Sequence, residues 1–250
     1  MKIALTIDVE ADWGGRGDTI DALRLMVSPL LDLLDSIDAK ATFFISSGIA
    51  HEIKEMILQM DAMGHEIASH GHDHNLLYSI LSKNELYDQA GKSKEILEDI
   101  VGHSIIGFRT PQFRKNRYSE EVLSSLKYLY DSSSVLVDLP GRYSKELHKN
   151  RALSEFPVGS IYRKLPAGVK WINLFGNHFP KGCKEIFVVY VHLFDLLSLY
   201  KTIHQYNSDI KIHVLLFYLA RLGNPFKTLG EIASGSRPLR TMLPVVTGNG

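Results

Sequence analysis

The residues best suited to chemistry lie in Ser69-His70-Gly71-His72-Asp73-His74, where three histidines fall within five positions. His70 and His74 are four apart, a spacing that brings two imidazoles to one side of a turn or short helix. Two imidazoles and one carboxylate suit a borderline ion such as zinc, with a fourth position left open for water. His72 falls on the other side, so a structural hydrogen-bonding role fits it better. A carboxylate pair stands upstream, in Leu5-Thr6-Ile7-Asp8-Val9-Glu10. Side chains two apart on a strand share a face, so Asp8 and Glu10 leave an otherwise apolar strand together. That pattern reads as one acid binding a metal and the other acting as a base. Asp12 is a third candidate, in the loop beyond.

Three other polar positions have ordinary structural explanations when taken singly. Arg109, in Phe108-Arg109-Thr110-Pro111-Gln112-Phe113, reads as a structural ion-pair partner. Asp131, in Tyr130-Asp131-Ser132-Ser133-Ser134, reads as a helix or turn cap. His192, between Val189-Tyr190-Val191 and Leu193-Phe194, reads as a satisfied core histidine. The isolated His51, His65, His103, His148, His178, His204 and His213 read as surface or packing residues.

Short apolar strands alternating with amphipathic helices must position these groups. Strands are expected at Ile3–Val9, Ala41–Ile45, Glu66–Ser69, Ile105–Phe108, around Tyr130–Val135, at Glu155–Val158 and at Ile186–His192. Helical periodicity runs from Thr19 to Ile37, with Pro29 as a kink, then over Glu52–Met63 and near Glu120–Tyr128. Ser82 with Glu85 forms a capping box opening a helix to about Ile100, and Thr228 with Glu231 forms another near the C-terminus. Asp138–Lys184 has no clear period and is left unassigned. Repeated strand–helix units imply a parallel sheet, closed into a barrel or open and doubly wound. The polar clusters fall at the C-terminal ends of the expected strands, the face on which parallel barrels build catalysis.

In this order the clusters resemble the motifs of the polysaccharide deacetylase family, the NodB-homology domain, over roughly Met1 to Ile232. Thr6-Ile7-Asp8-Val9-Glu10 is similar to the first motif in a D-x-D/E form, and Gly64-His65-Glu66 through His74 closely resembles the second. Arg109-Thr110-Pro111-Gln112-Phe113, Tyr130-Asp131-Ser132-Ser133 and Val191-His192 resemble the third, fourth and fifth. The resemblance implies an α/β fold, a distorted (β/α)7 barrel in a single domain over residues 1–250. It also implies a hydrolase acting on carbon–nitrogen bonds other than peptide bonds, removing an acetyl or formyl group from a sugar. By the same resemblance Glu10, His70 and His74 hold a divalent metal, most often Zn2+. Asp8 is then the base, Arg109 orients it, Asp131 holds Arg109 or tunes His192, and His192 is the acid. A backbone N–H near Phe113 would meet the developing oxyanion. The chain departs from the pattern at Glu10, one methylene longer than the usual aspartate, and at Ser134-Val135 and Phe194-Asp195, where relatives carry aromatic residues or Pro-Trp-Glu. Asp-x-Glu followed by Gly15-Arg16-Gly17 also resembles the deformylase that acts on lipid-linked formamido-arabinose. A hydrolase of a small non-sugar amide and a catalytically silent binding protein are the competing readings.

The composition is that of a soluble globular domain: 45% hydrophobic and 22% charged in 250 residues, with 28 basic and 28 acidic side chains. A balanced charge argues against nucleic acid as the main partner. The single Cys183 requires no oxidising compartment, and Lys2–Ile7 begins as a strand rather than a signal segment. The longest apolar runs, Ile186–Val191 and Val214–Ala220, are too short for a bilayer. The expectation is a cytoplasmic enzyme acting on a lipid- or nucleotide-linked N-acyl sugar.

Overall fold

The computed structural model describes residues 2–11, 19–135, 153–161, 165–166, 186–193 and 226–235. Seven parallel strands form one curled sheet, in the order β6-β5-β4-β3-β2-β1-β9. They are β1 (Lys2–Val9), β2 (Ala41–Ile45), β3 (Glu66–Ser69), β4 (Gly107–Phe108), β5 (Tyr130–Asp131), β6 (Ser154–Glu155) and β9 (Ile186–His192). A small antiparallel pair, β7 (Ser160–Ile161) and β8 (Leu165–Pro166), follows β6. Beyond β6, Val158 makes parallel bridges to both Val135 and Val188, so the far edge meets β9 and the sheet curls into a distorted (β/α)7 barrel. Among the described residues no helix is long and apolar enough to cross a membrane.

Period two divides the strand side chains between two cores. Leu5, Ile7, Val9, Phe43, Ile45, Ile67, Val189 and Val191 face outward into the larger core. Ala4, Phe44, Ala68, Tyr130, Phe156 and Val188 fill the barrel interior. The helices cover the outer face because their apolar residues recur at helical spacing. α1 (Thr19–Ser36) buries Leu23, Met26, Val27, Leu30, Leu31 and Leu34, with Pro29 inside the helix as expected. α2 (Lys54–Ala62) buries Ile57 and Met60, and α4 (Ser119–Ser125) buries Val122 and Leu123. α3 (Lys83–Val101) buries Leu86, Ala90, Leu97 and Ile100. It opens on the Ser82–Glu85 capping box and closes on Gly102 at φ 75, a left-handed cap that glycine adopts at low cost.

The N-terminal ends of the strands are closed by α5 (Leu229–Ala233) around a buried carboxylate. Glu66 Oε2 accepts from Thr42 Oγ1 at 2.7 Å and from the Gly230 N–H at 2.8 Å, while Oε1 accepts from the Tyr130 hydroxyl at 2.9 Å. The Leu229 N–H donates to Thr42 Oγ1 at 2.9 Å, so the helix is sewn to β2 and β3. Tyr130 reaches Glu66 only because Gly107 has no side chain: a Cβ there would stand 2.1 Å from the Tyr130 oxygen.

Burial raises Glu66, against its three donors, from 4.5 to about 6. The folded protein therefore holds this proton more tightly than the unfolded chain. The associated stability is whole below about pH 4.5 and is lost as the pH rises through about 6. In urea unfolding, wild type should lose about 2 kcal/mol relative to Glu66→Gln between pH 4.5 and 7.5. Parallel pH profiles for the two proteins would show that Glu66 does not titrate there.

Candidate active site

At the other end of the barrel, strand register gathers the polar side chains. β1 pairs with β9 so that Asp8 stands beside His192 and Thr6 beside Tyr190. Arg109 follows β4 and points across the interior, where it is fully buried. Its Nη1 donates to Asp8 Oδ1 at 2.7 Å and Thr6 Oγ1 at 2.9 Å, while Nε and Nη2 donate to the Ser132 carbonyl at 3.2 Å and hydroxyl at 2.8 Å. The Phe44 ring lies 4.0 Å and the Phe113 ring 5.2 Å from its guanidinium carbon. A planar, weakly hydrated guanidinium tolerates this dry aromatic setting, whereas a lysine ammonium would leave several acceptors unmatched.

Glu10, His70 and His74 form the second constellation. Glu10 Oε2 lies 2.9 Å from His70 Nε2 and 2.5 Å from His74 Nε2, and Oε1 lies 3.6 Å from His192 Nε2. The longer glutamate thus reaches both imidazoles, the position at which the chain departs from the commoner aspartate. Among the described residues this is the one group of three such ligands close enough to share an ion, with donor atoms all within 4.8 Å of one another. His70 Nδ1 bonds the Arg109 carbonyl at 2.9 Å. A carbonyl only accepts, so Nδ1 carries a proton and, in the neutral ring, Nε2 turns a lone pair toward the carboxylate. His74 Nε2 is buried beside the same oxygen with no hydrogen-bond partner among the described residues. Acceptors converging on one point fit a cation between them, and two imidazole nitrogens with one carboxylate are a donor set for zinc or a similar ion. Burial pushes Glu10 up, but with no cation between them the charge of protonated His70 and His74 rings outweighs it and holds the carboxyl far below its usual range; a bound cation would take the place of those protons and act in the same direction.

The turn carrying the histidines depends on Gly71. Its φ of 73 reverses the chain, and the Tyr78 hydroxyl occupies the space a Cβ would take, 2.1 Å away. That hydroxyl accepts the His72 N–H at 3.0 Å, and the His72 ring turns to Ser47 Oγ at 2.9 Å, so His72 is structural as expected. His65 packs edge-on against Phe43 and accepts the Ala41 N–H, burial pushing it down to about 4. His103 pairs with Asp61 at 2.8 Å.

Asp131 corrects an expectation. It touches neither Arg109 nor His192: Oδ1 accepts from the Ser133 N–H and hydroxyl, and Oδ2 lies 3.4 Å from Lys115 Nζ. Alternation is the reason, because Ser132, and not its neighbour Asp131, faces the barrel interior and holds Arg109. The Phe113 N–H donates at 3.3 Å to the Thr110 carbonyl, within a turn where Gln112 and Phe113 both take positive φ. Sequence reasoning missed Thr6, Phe44, Ser132 and Asn116; the last donates to the Tyr78 and Leu81 carbonyls and joins the loops after β3 and β4. Thr6 and Phe44 were open to the same two-residue alternation that singled out Asp8. Asp12 and the Gly15-Arg16-Gly17 and Phe194-Asp195 segments lie outside the described residues, as do Cys183, His148, His178, His204 and His213.

A family model described as polysaccharide deacetylase matches residues 2–130 of the 250. A Bacillus subtilis (strain 168) protein assigned as a polysaccharide deacetylase is 28% identical over 107 residues, covering 43% of this chain and 38% of that protein. A chitin deacetylase from Pestalotiopsis sp is 34% identical over 104 residues, covering 40% and 35%. A peptidoglycan deacetylase from Helicobacter pylori is 26% identical over 153 residues, covering 57% and 52%. The chain thus spans about a third to a half of the length of these curated relatives. In fold it is similar to a Mycobacterium smegmatis protein assigned as a polysaccharide deacetylase, with TM-score 0.64 and 20% identity, covering 100% of this chain and 94% of the other. A Bacillus anthracis pseudoenzyme of carbohydrate esterase family 4 shares the fold at TM-score 0.60 and 14% identity, covering 93% and 65%.

The buried Arg109–Asp8 pair sets an energetic test. Arg109→Met strands a carboxylate in a dry interior and should cost about 3–5 kcal/mol of stability in chemical denaturation. Adding Asp8→Asn should return a large part of that loss, because the penalty resides in the unpaired charge. Additive losses in the double variant would show that the two side chains do not depend on each other.

Proposed function

We propose, from the premise that the chain belongs to the polysaccharide deacetylase family, that it hydrolyses the N-acyl group of a sugar, acetyl or formyl, by a metal-dependent route. The observation that carries the reading is the convergence of Glu10, His70 and His74 beside the Arg109-bound Asp8 and beside His192. A pseudoenzyme shares the fold, so the fold alone is no argument for turnover; the support comes from this side-chain set.

Glu10, His70 and His74 would hold the divalent cation. When bound, it supplies Lewis acidity, polarising the amide carbonyl and lowering the pKa of water. Arg109 holds Asp8 Oδ1 and leaves Oδ2 to take the proton as water adds to the carbonyl carbon. His192, a quarter exposed and level with Asp8 across the β1–β9 pair, gives a proton to the departing amine. Burial of Asp8, Glu10 and His70 keeps these groups in a dry setting, where fixed dipoles act more strongly than in water. A precursor sugar linked to a lipid or nucleotide is the substrate proposed with this reading.

The test is acetate or formate release from N-acylated sugars, including chitin oligomers. Activity should vanish on chelation and return with zinc or cobalt. Asp8→Asn should retain the metal while turnover falls by about a hundredfold or more. Full activity in the metal-free protein would defeat the mechanism. Metal uptake with no release from any N-acyl sugar would favour the silent binding protein.

A further inference from the structure

We infer that Asp131 is a positioning residue that acts on His70 through a relay of hydrogen bonds, an inference resting on the reading of Glu10, His70 and His74 as a cation site. The relay begins at His70, whose Nδ1–H donates to the Arg109 carbonyl at 2.9 Å. That carbonyl and the Thr110 N–H are opposite ends of one rigid, planar peptide group, so holding one end orients the other. The Thr110 N–H donates to Ser133 Oγ at 2.8 Å. The Ser133 hydroxyl in turn donates to Asp131 Oδ1, which also accepts the Ser133 N–H at 3.0 Å.

Every donor in this chain points the same way, from imidazole through peptide and hydroxyl to carboxylate. Head-to-tail dipoles reinforce one another, and burial excludes competing water: His70, Arg109, Thr110, Asp131 and Ser133 are all at most 1% exposed. The outcome resembles a carboxylate bonded directly to a metal-binding histidine. The ring is fixed, the proton is kept on Nδ1, and the Nε2 lone pair is made more basic toward a cation held with Glu10. Here the carboxylate stands on the opposite face of β5 and reaches the histidine across the β4 peptide. Lys115 approaches Asp131 through Oδ2, the oxygen outside the relay, and also lies 3.1 Å from Glu155.

Zinc affinity of the purified full chain, by competition with a chromophoric chelator, reads the relay without any substrate. Ser133→Ala, which removes one buried oxygen, and Asp131→Asn, which keeps the shape and loses the charge, should each weaken zinc binding by about tenfold. The visible spectrum of the cobalt-loaded protein should shift in both, since ligand orientation changes; loss of stability alone would not move it. Lys83→Met, which breaks an exposed ion pair with Glu121 and touches no atom of the relay, should stay within about twofold of wild type. Wild-type affinity and spectrum in both Ser133→Ala and Asp131→Asn would overturn the relay. Equal weakening in Lys83→Met would overturn it too, because a loss shared with a surface site outside the relay is a general one. Wild-type protein that takes up no zinc would remove the cation-site reading and the relay with it, an outcome visible before any variant is compared.

Discussion

A guanidinium buried in the middle of a barrel is costly unless nearly every donor is satisfied, and much of this structure serves that condition. Arg109 has its charge balanced by Asp8, four bonds to Asp8, Thr6 and Ser132, and aromatic faces from Phe44 and Phe113. Those partners come from the ends of β1, β2 and β5 and from the loop after β4. The pair is therefore satisfied only when the sheet has curled. Unpaired, either charge would cost several kcal/mol, so completion of the barrel and assembly of the site are energetically tied.

The same residue serves the second constellation through its backbone. The Arg109 carbonyl sets the proton on His70, and its N–H donates to the Ser69 carbonyl at 2.9 Å, which continues the β3–β4 pairing to the edge of the site. The candidate base and a candidate metal ligand are thus referred to a single residue, the base through the side chain and the ligand through the main chain. Small relative displacements of nucleophile, acid and ligand are expensive in catalysis, and a shared anchor limits them.

The two ends of the barrel treat their glutamates in opposite ways. Glu66 is enclosed among hydroxyl and amide donors at the α5 end, and burial prevails, raising it. Glu10 is also buried, but two imidazoles face it and it is held low. The contrast comes from partners rather than depth. One end uses a carboxylate to close the structure, and the other keeps one charged and available to a cation.

Most strands and helices were legible before folding was considered, because period two and period 3.6 are local properties of the chain. Ala41–Ile45, Glu66–Ser69, Ile186–His192 and both capping boxes fall where the pattern places them. Asp8, Glu10, His70 and His74 stood out because an apolar strand ending in acids, and three histidines in five residues, are anomalous within a few positions. By the same standard Arg109 and His192 looked ordinary, since what distinguishes them is their neighbours: Asp8 lies 101 residues from Arg109 along the chain. The role of Asp131 was misread because two adjacent strand residues are interchangeable on paper, while alternation sends Ser132 to Arg109 and Asp131 to the opposite face. The sequence by itself determined which elements form and which residues carry unusual chemistry, through interactions spanning a turn or a strand. Only the tertiary structure decided which of those residues meet, because strand register and the direction of each side chain are settled when the sheet closes.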